Sequence, residues 1–507
     1  MNHIPQDNLT DKLIGPDGLS KYAVFLPAIS SFYTAYIGRQ KHQTRGFIPD
    51  ERIPAGFDKG IAGLDWMNKS DGYFYYKHNL YSAGHANLDV TKPNIKEAMV
   101  YDRNRNEGFV LGDSGGFQIG KGVWTADWKD PSCPKALAKR TEVLTWLDTH
   151  MDYGMILDIP AWVRKTQKGR ESSGISTFAE AITATQINNE FFMKNRLGQC
   201  KFLNVVQGSN HAESDLWYSH MKKYCDPKQY SNPFNGWAFG SQQACDPHLT
   251  LKRLVTCRFD GLLETGVHDW LHILGNSDME WVLFLTDIQR AIRKYHNPTL
   301  TVSYDCASPF LATVHGNIYN DIFAQTQNGL RWIFPNAKSP DDKKYWNDPR
   351  TVKQVMEQDN YFSNFVDSPI TARMTIKDIC QYGPGHLNKL GKEGRTSWDS
   401  FSYALQMSHN VWSHIVTTQE ANRKYDLGEM PSAMSILTAG KKSVFHYDQK
   451  YCRDLIDEIF ATSDYGKATK LIDHYSKYWM AFRGVRGFFG KKAKNSTTIF
   501  NDIFQEV

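Results

Sequence analysis

The chain has 507 residues, of which 41% are hydrophobic and 22% charged, and its net charge is +5 at pH 7. This composition excludes a disordered chain, and no apolar run approaches the roughly 18 residues of a membrane span, so we expect a globular protein without a membrane contact. The length exceeds that of one ordinary domain and suits a large barrel with an appendage. The mildly basic charge permits a polyanionic partner without requiring one.

The eight cysteines are spread along the chain, and no two form a CxxC pair. This spread is typical of reduced cytosolic thiols rather than of a disulfide framework. The first residues, MNHIPQDNLTDKL, lack the basic and then apolar pattern of a signal peptide. We therefore expect a cytoplasmic location, in the host cytoplasm if the chain is encoded by a phage.

Short apolar runs that end in a polar residue or glycine recur along the first 306 residues. Runs this short, without clean alternation, are typical of strands buried on both faces in a parallel sheet. The predicted strands are KYAVFLPA (21–28), FVLGDSGG (109–116), YGMILDIP (153–160), KFLNVVQG (201–208), NGWAFGS (235–241), WLHILGNS (270–277) and LTVSYDC (300–306).

Helical patterns lie between most of these runs. Residues 177–196 open with Thr177 and Glu180 at capping-box spacing, and residues 246–259 and 278–295 carry apolar residues three to four apart. Repeated strand–helix alternation predicts an α/β protein, and we favour a (β/α)8 barrel over an open doubly wound sheet. In either fold the polar residues that end the strands converge, namely Asp113, Asp158, Gln207, Ser241 and Asp305.

The composition changes after Asp305. Residues 336–400 are polar and irregular, which indicates an insertion, and a helical and basic extension is predicted from about 426 to 507. The predicted organisation is therefore a tail at 1–20, a barrel over 21–425 that includes the insertion, and the extension at 426–507.

The stretch DSGGFQ (113–118) joins a carboxylate to a turn with almost no side chains. Gly115 and Gly116 let a ligand approach the backbone, Phe117 offers a flat face, and Gln118 can form hydrogen bonds in two directions. A planar, polar heterocycle would fit such a site. A tight strand-to-helix turn with an aspartate cap explains the same residues without a ligand.

The stretch resembles the DSGGFQ signature of the tRNA-guanine transglycosylase family. Other stretches resemble that family's segments in the same order, and the similarity spans roughly residues 109–310. The similar stretches are GMILDIP, NVVQGS, GWAFGS, LHILG and SYDCASP, with MSHNVW (407–412) as a later one. Residues 1–100 and those from about 426 match poorly. The resemblance implies the barrel fold and the exchange of guanine in a polynucleotide for a 7-deazaguanine.

The resemblance assigns two catalytic carboxylates. Breaking an N-glycosidic bond builds positive charge on the sugar C1′, which a carboxylate can stabilise and bond covalently. The family implies that Asp305 is this nucleophile and that Asp113 is the general acid–base that serves the leaving and incoming bases. Two carboxyl groups that face one pocket would have their pKa values pushed apart.

The resemblance also assigns the contacts to the base. Asp158 would accept from N1–H and the 2-amino group of guanine, and Gln207 with the backbone near Ser241 would face its O6 side. Phe117 and Leu274 would sandwich the ring, although a place in the core is an equally good interpretation of Leu274. The remaining candidates for base binding are Ser114, Gly115 and Gly240.

The chain departs from the family pattern in two loops. Ser241 stands where the family has the second glycine of its GG segment, and Phe310–Leu311 replaces threonine-arginine after Pro309. At the family's zinc positions only Cys380 and His409 remain, with Asp378 in place of a cysteine. These give at most three ligands where structural zinc needs four, so we expect no zinc and no other cofactor.

These departures favour the branch of the family that modifies DNA, in phages or bacteria, over an orthodox tRNA enzyme. The expected partners are DNA, or tRNA as the alternative, and a free 7-deazaguanine base such as preQ0. A helper protein that opens the duplex is a further candidate. Positive residues predicted to contact the polynucleotide are Arg164, Lys165, Lys168, Arg170, Arg483, Arg486, Lys491 and Lys492.

Two other functions are compatible with the chain. A non-catalytic, nucleic-acid-binding partner subunit of the family would lack the catalytic carboxylates, but Asp113 and Asp305 are both present. An unrelated barrel glycosidase could use the same two aspartates, but its sugar pocket would prefer more polar side chains than a glycine-rich turn offers.

Overall fold

The structure is a computed structural model that describes residues 6–43, 48–92, 94–320, 324–325, 331–381, 396–439 and 447–483. Its centre is an eight-stranded sheet in which all strand pairs are parallel. The strands are β1 (Val24–Pro27), β2 (His78–Ser82), β3 (Phe109–Asp113), β4 (Tyr153–Met155), β5 (Lys201–Val206), β6 (Gly236–Phe239), β7 (Trp270–Ile273) and β8 (Thr301–Cys306).

The strands follow one another around the sheet in chain order. Each strand from β2 to β7 pairs with the strand that follows it in the chain, and β8 pairs with β1. A single parallel bridge between Ala28 and Leu80, with a hydrogen bond of 2.9 Å from Ile29 N to Leu80 O, joins β1 to β2. The sheet is therefore a nearly closed barrel, and the order lacks the reversal that defines an open doubly wound sheet. The predicted α/β class is confirmed, and the sheet is compatible with a (β/α)8 barrel.

One main helix follows each strand, and the last of them contacts both the preceding helix and the first. These helices are α1 (Ser31–Lys41), α2 (Ala98–Tyr101), α3 (Pro134–His150), α4 (Phe178–Asn195), α5 (His211–Met221), α6 (Pro247–Phe259), α7 (Met279–Tyr295) and α8 (Ser400–Asp426). Further helices outside this ring span Leu9–Leu13, Gly116–Gly120, Gln167–Ser173, Ser308–Val314 and Val352–Gln358.

The three helices predicted from periodicity are confirmed as α4, α6 and α7. At the start of α4 the Thr177 side chain accepts from Glu180 N at 3.1 Å, and Glu180 Oε2 accepts from Thr177 N at 3.0 Å. This reciprocal pair is the capping box that the sequence predicts.

All seven predicted strands contain a barrel strand, but β2 was not predicted. Its sequence, HNLYS, is not an apolar run, although four of its five residues are buried. Asn79 can be buried because its side-chain oxygen accepts a hydrogen bond from Trp66 Nε1 at 2.8 Å. A search for apolar runs passes over such a polar residue.

Aromatic rings fill the amino end of the barrel. Phe109 of β3 and Trp270 of β7 stack with their centroids 4.6 Å apart, and Tyr153 of β4 lies 4.9 Å from Trp270. Because β3 and β7 stand on opposite sides of the barrel, the rings of Phe109 and Trp270 can contact each other only across the barrel interior. The amino end is thus packed, and a ligand site is left to the carboxyl end, as in other barrels of this kind.

The remaining strands lie outside the barrel. They pair as Asp7–Asn8 with Phe74–Tyr75, Asn317–Tyr319 with Asn336–Lys338, Ala324–Gln325 with Trp332–Ile333, and Ser435–Ala439 with Tyr447–Tyr451. The sequence predicts a helical extension from about residue 426. In the structure, the strands Ser435–Ala439 and Tyr447–Tyr451 precede its helices. Those helices are Cys452–Ala461, Tyr465–His474 and Ser476–Arg483.

The C-terminal helices contact the barrel helices through ion pairs. Lys294 Nζ of α7 lies 2.9 Å from Asp457 Oδ1, and Lys252 Nζ of α6 lies 2.6 Å from Asp473 Oδ2. The division of the chain into tail, barrel, insertion and extension stays a prediction. Among the described residues, no helix is both long enough and apolar enough to cross a bilayer.

Candidate active site at the carboxyl end of the barrel

Asp113 is the last residue of β3 and is held by two donors. Ser82, its register partner on β2, donates from Oγ to Asp113 Oδ2 at 2.5 Å, and Gly115 N donates to Oδ1 at 3.2 Å. Burial raises the pKa of Asp113, the two hydrogen bonds lower it, and the negative charge of Asp305 raises it. The carboxyl group is therefore poised to exchange a proton.

The turn after Asp113 depends on glycine. Gly115 has a φ of +75°, a left-handed conformation that strains other residues. A Cβ at this position would lie 2.8 Å from Gly84 N, so a side chain would also collide with the neighbouring loop. Gly115 and Gly116 therefore let the backbone beside Asp113 pack closely against its neighbours, with no side chain in between.

Asp305 lies near the end of β8 and is 9% exposed. Its Oδ1 accepts two hydrogen bonds, from Gly275 N at 2.8 Å and from His272 Nε2 at 3.2 Å. Asp113 ends β3 and Asp305 lies next to the end of β8, so both carboxyl groups stand at the carboxyl end of the barrel, where the charge of Asp305 raises the pKa of Asp113. The structure thus brings the two predicted catalytic aspartates together.

Asp158 follows β4 and is 7% exposed. Burial raises its pKa to about 7, a hydrogen bond from Gln207 lowers it, and the charge of Asp113 raises it. Gln207 Nε2 donates to Asp158 Oδ2 at 2.7 Å, and Gln207 Oε1 accepts from the hydroxyl of Ser241. These three predicted site residues therefore form one hydrogen-bonded chain beside Asp113.

Ser241 takes a φ of +53° although it carries a side chain. Left-handed backbone of this kind favours glycine, the residue that the transglycosylase family has at the matching position. Ser241 therefore has a backbone conformation typical of glycine, and its hydroxyl donates a hydrogen bond to Gln207 Oε1.

The other predicted base contacts differ in their surroundings. Phe117 is partly buried, lies 5.5 Å from Trp162 between ring centroids, and has Lys121 Nζ 5.2 Å from its ring. Leu274 is partly buried, and a Cβ on Gly240 would lie 3.3 Å from its Cδ1 and 3.1 Å from Gln207 Nε2. Ser114 is 1% exposed, so its side chain belongs to the packed turn.

The four predicted basic residues after β4 differ in their surroundings. Arg164 forms an ion pair with Glu213, which compensates its charge. Lys165 Nζ lies 3.2 Å from Ser209 Oγ, and burial lowers the pKa of Lys165. Lys168 and Arg170 are exposed. Of the predicted basic residues near the C-terminus, the side chain of Arg483 and all of Arg486, Lys491 and Lys492 lie outside the described residues.

The residues at the family's zinc positions each have a partner within the protein. His409 Nε2 donates to Tyr319 O at 2.7 Å, while its Nδ1 lies 2.9 Å from Ser368 Oγ. Cys380 Sγ contacts Pro340 O at 3.3 Å, and Asp378 Oδ2 accepts from Thr375 N at 2.7 Å. In the described part of the chain, no three His, Cys, Asp or Glu side chains are grouped to hold a metal ion. The expected absence of zinc stays a prediction.

Two site residues were missed from the sequence, Ser82 and His272. Ser82 ends the unpredicted strand β2, so nothing marked it as a neighbour of Asp113. His272 stands opposite Ser303 in the β7–β8 register, and Ser303 lies two residues before Asp305 on the same face of β8; the sequence alone does not give this register.

Comparison with known proteins adds no identification. No protein-family model matches the chain, and no curated protein matches it at a significant level.

Proposed function

We propose that this protein is a base-exchange glycosyltransferase that replaces guanine in DNA with a 7-deazaguanine, through a covalent bond between Asp305 and the sugar C1′. The observation that carries the proposal is that Asp113 and Asp305 both lie at the carboxyl ends of their strands, at the same mouth of the barrel, where the charge of Asp305 raises the pKa of Asp113. A pair of carboxyl groups in different environments suits one nucleophile and one proton donor. The resemblance to guanine transglycosylases supplies the reaction class.

The first half-reaction removes guanine. An oxygen of Asp305 forms a bond to C1′ while the C1′–N9 bond breaks, and N9 keeps the electron pair of that bond. Asp113 donates a proton to the departing base, which its raised pKa favours. Guanine leaves as a neutral molecule, and the sugar remains esterified to Asp305.

The second half-reaction inserts the new base. The ionised Asp113 accepts the N9 proton of the 7-deazaguanine, N9 forms a bond to C1′, and the ester oxygen leaves as the Asp305 carboxylate. Each half-reaction inverts C1′, so the configuration at the sugar is retained. The polynucleotide backbone is never broken.

The chain from Asp158 to Ser241 suits the recognition of guanine. Asp158 presents a carboxylate to N1–H and the 2-amino group, while the Gln207 amide presents a donor beside it for O6. A base with the opposite order of donors and acceptors would leave these buried groups unpaired, which costs more than a lost contact in water. The same edge is shared by guanine and 7-deazaguanines.

The choice of DNA rests on the departures from the tRNA-enzyme pattern at Ser241, after Pro309 and at the zinc positions. Exposed Lys168 and Arg170 follow the β4 end and are available to phosphates. A duplex substrate would require the target nucleotide to leave the stack, at a few kcal/mol, which a helper protein could reduce.

Incubation with labelled guanine or preQ0 and each of duplex DNA, single-stranded DNA and tRNA tests the proposal. We expect label in DNA. Label in tRNA alone would show the tRNA enzyme instead, and nucleic-acid binding without incorporation would favour the non-catalytic partner subunit.

The nucleophile is tested with Asp305→Asn, which keeps the shape and removes the charge. We expect no covalent enzyme–DNA adduct and retained DNA binding. Asp260→Asn is the matched control, because Asp260 accepts from Tyr218 on the outer surface and should leave the adduct unchanged. An undiminished adduct in the Asp305→Asn variant would exclude the assignment.

A further inference from the structure

A column of polar side chains runs through the barrel interior on β7 and β8. Trp270 Nε1 donates to Ser303 Oγ at 2.7 Å, Ser303 Oγ lies 2.9 Å from His272 Nδ1, and His272 Nε2 lies 3.2 Å from Asp305 Oδ1. The column connects the aromatic packing at the amino end to the proposed nucleophile.

The column lies in an unusual place for polar groups. His272 and Ser303 are 0% exposed, and Trp270 is 8% exposed. Interior layers of such barrels usually hold Val, Ile and Leu, and a buried polar group without a partner destabilises the fold. Here every side-chain polar atom of Trp270, Ser303 and His272 has a partner, so these members depend on one another.

The two ends of the column determine the direction of its hydrogen bonds. An indole N–H can only donate, and an ionised carboxylate can only accept. Ser303 therefore accepts from Trp270 and is free to donate its own proton to His272 Nδ1. A neutral imidazole then carries its proton on Nε2, where it donates to Asp305.

We infer that His272 is a positioning residue for Asp305, and that Ser303 and Trp270 hold its ring so that Nε2 donates to Asp305 Oδ1. The inference rests on the proposed function for the role of Asp305. His272 and Gly275 N both donate to Oδ1, so neither engages Oδ2, which is left to form the bond to C1′. Two donors on one oxygen resist rotation of the carboxylate about its last bond.

The position of the proton can be measured without any substrate. With 15N-labelled histidine, we expect Nε2 of His272, assigned by its loss in His272→Gln, to carry a proton in the wild type. A wild-type ring protonated only at Nδ1 would overturn the inference.

The effect on Asp305 is measured as the rate of adduct formation at saturating DNA. His272→Leu should lower this rate by about 10²-fold, as expected for a reacting group that loses its orientation. His272→Gln keeps a donor near the Nε2 position and should restore most of the rate. His268→Leu is the matched control, since His268 is equally buried on the approach to β7 but contacts Glu264 N and Cys225 O.

The two proposals fail in different ways. If no nucleic acid forms an adduct with the wild-type protein, the proposed function fails, while the 15N measurement still tests the column. If the adduct forms at equal rates in wild type and folded His272→Leu, the positioning role fails and the proposed function stands. Should His272→Leu not fold, a Ser303→Ala rate equal to wild type overturns the inference, and a lowered rate with unchanged DNA binding supports it.

Discussion

Ser241 donates a hydrogen bond from its hydroxyl to Oε1 of Gln207, from a backbone with a φ of +53°. An amide has an oxygen on one side and an NH2 group on the other, so this contact determines how Gln207 faces its neighbours. With Oε1 directed to Ser241, Nε2 donates to Asp158 at 2.7 Å. Ser241 therefore sets the donor and acceptor order of the proposed base pocket.

Ser241→Ala and Ser241→Gly separate the hydroxyl from the backbone. Both variants lose a hydrogen bond of about 1 kcal/mol, which should raise KM for guanine about fivefold. Glycine also relieves the left-handed strain, so Ser241→Gly should melt at a higher temperature than Ser241→Ala. Steady-state kinetics and thermal melting provide the two measurements. Unchanged KM in both variants would contradict the role assigned to the hydroxyl.

The raised pKa of Asp158 predicts a pH dependence of base binding. Guanine donates two N–H groups to this side chain, which needs the ionised form, so affinity for guanine should increase as pH rises through about 7. In Asp158→Asn this increase should be absent, and affinity should be low at every pH. Titration calorimetry with guanine across this range is the measurement, and an identical pH profile for wild type and the Asp158→Asn variant would contradict it.

The same pKa predicts the sign of a stability change. Because the folded-state pKa of Asp158 is raised from 3.8 to about 7, its contribution to stability is fully present below about 3.8 and is lost as pH rises through about 7. The melting temperature of wild type relative to Asp158→Asn should therefore fall between about pH 5 and about pH 8. A relative increase over this interval would contradict the raised pKa.

Gly116→Ala should damage the base pocket through Asp158. A Cβ at Gly116 would lie 2.7 Å from Asp158 O and 3.2 Å from Asp158 Oδ1, closer than the packed backbone allows. We expect destabilisation by about 1–3 kcal/mol and weaker guanine binding, measured by denaturant unfolding and calorimetry. Gly466→Ala is the control, since a Cβ there would meet, among the described residues outside its own helix backbone, only Asp464 Oδ1 at 3.3 Å, and alanine favours the helix.

Thr177→Ala should remove the capping box of α4. The loss of the side-chain acceptor at the helix start costs about 1 kcal/mol in the free energy of unfolding. Thr141→Ala, on the exposed surface within α3, should change this free energy by less than about 0.5 kcal/mol. Equal effects of the two changes would show that the capping box contributes little.

Much of the fold could be predicted because its strands are buried on both faces. Seven barrel strands are short apolar runs that end in polar residues, as expected when helices cover a parallel sheet. The strand β2 could not be found in this way, since His78, Asn79 and Ser82 carry polar groups, and those of Asn79 and Ser82 find their partners elsewhere in the chain. Only the tertiary structure supplies those partners.

The site was predictable at the level of residues but not of their connections. The sequence and the family resemblance identify Asp113, Asp158, Gln207 and Ser241 one by one, and the structure joins the last three through hydrogen bonds. The role of His272 depends on the register of β7 against β8, which no local pattern determines.

Asp113 and Asp305 lie on opposite sides of the β1–β2 contact, which has the fewest register pairs of any two neighbouring barrel strands. Asp305 is in register with Leu26 of β1, Asp113 is in register with Ser82 of β2, and a single bridge joins β1 to β2. Every other neighbouring pair of barrel strands shares a ladder of at least two register pairs. The separation of the proposed nucleophile and proton donor therefore depends on the neighbouring strands of the barrel that share the fewest register pairs.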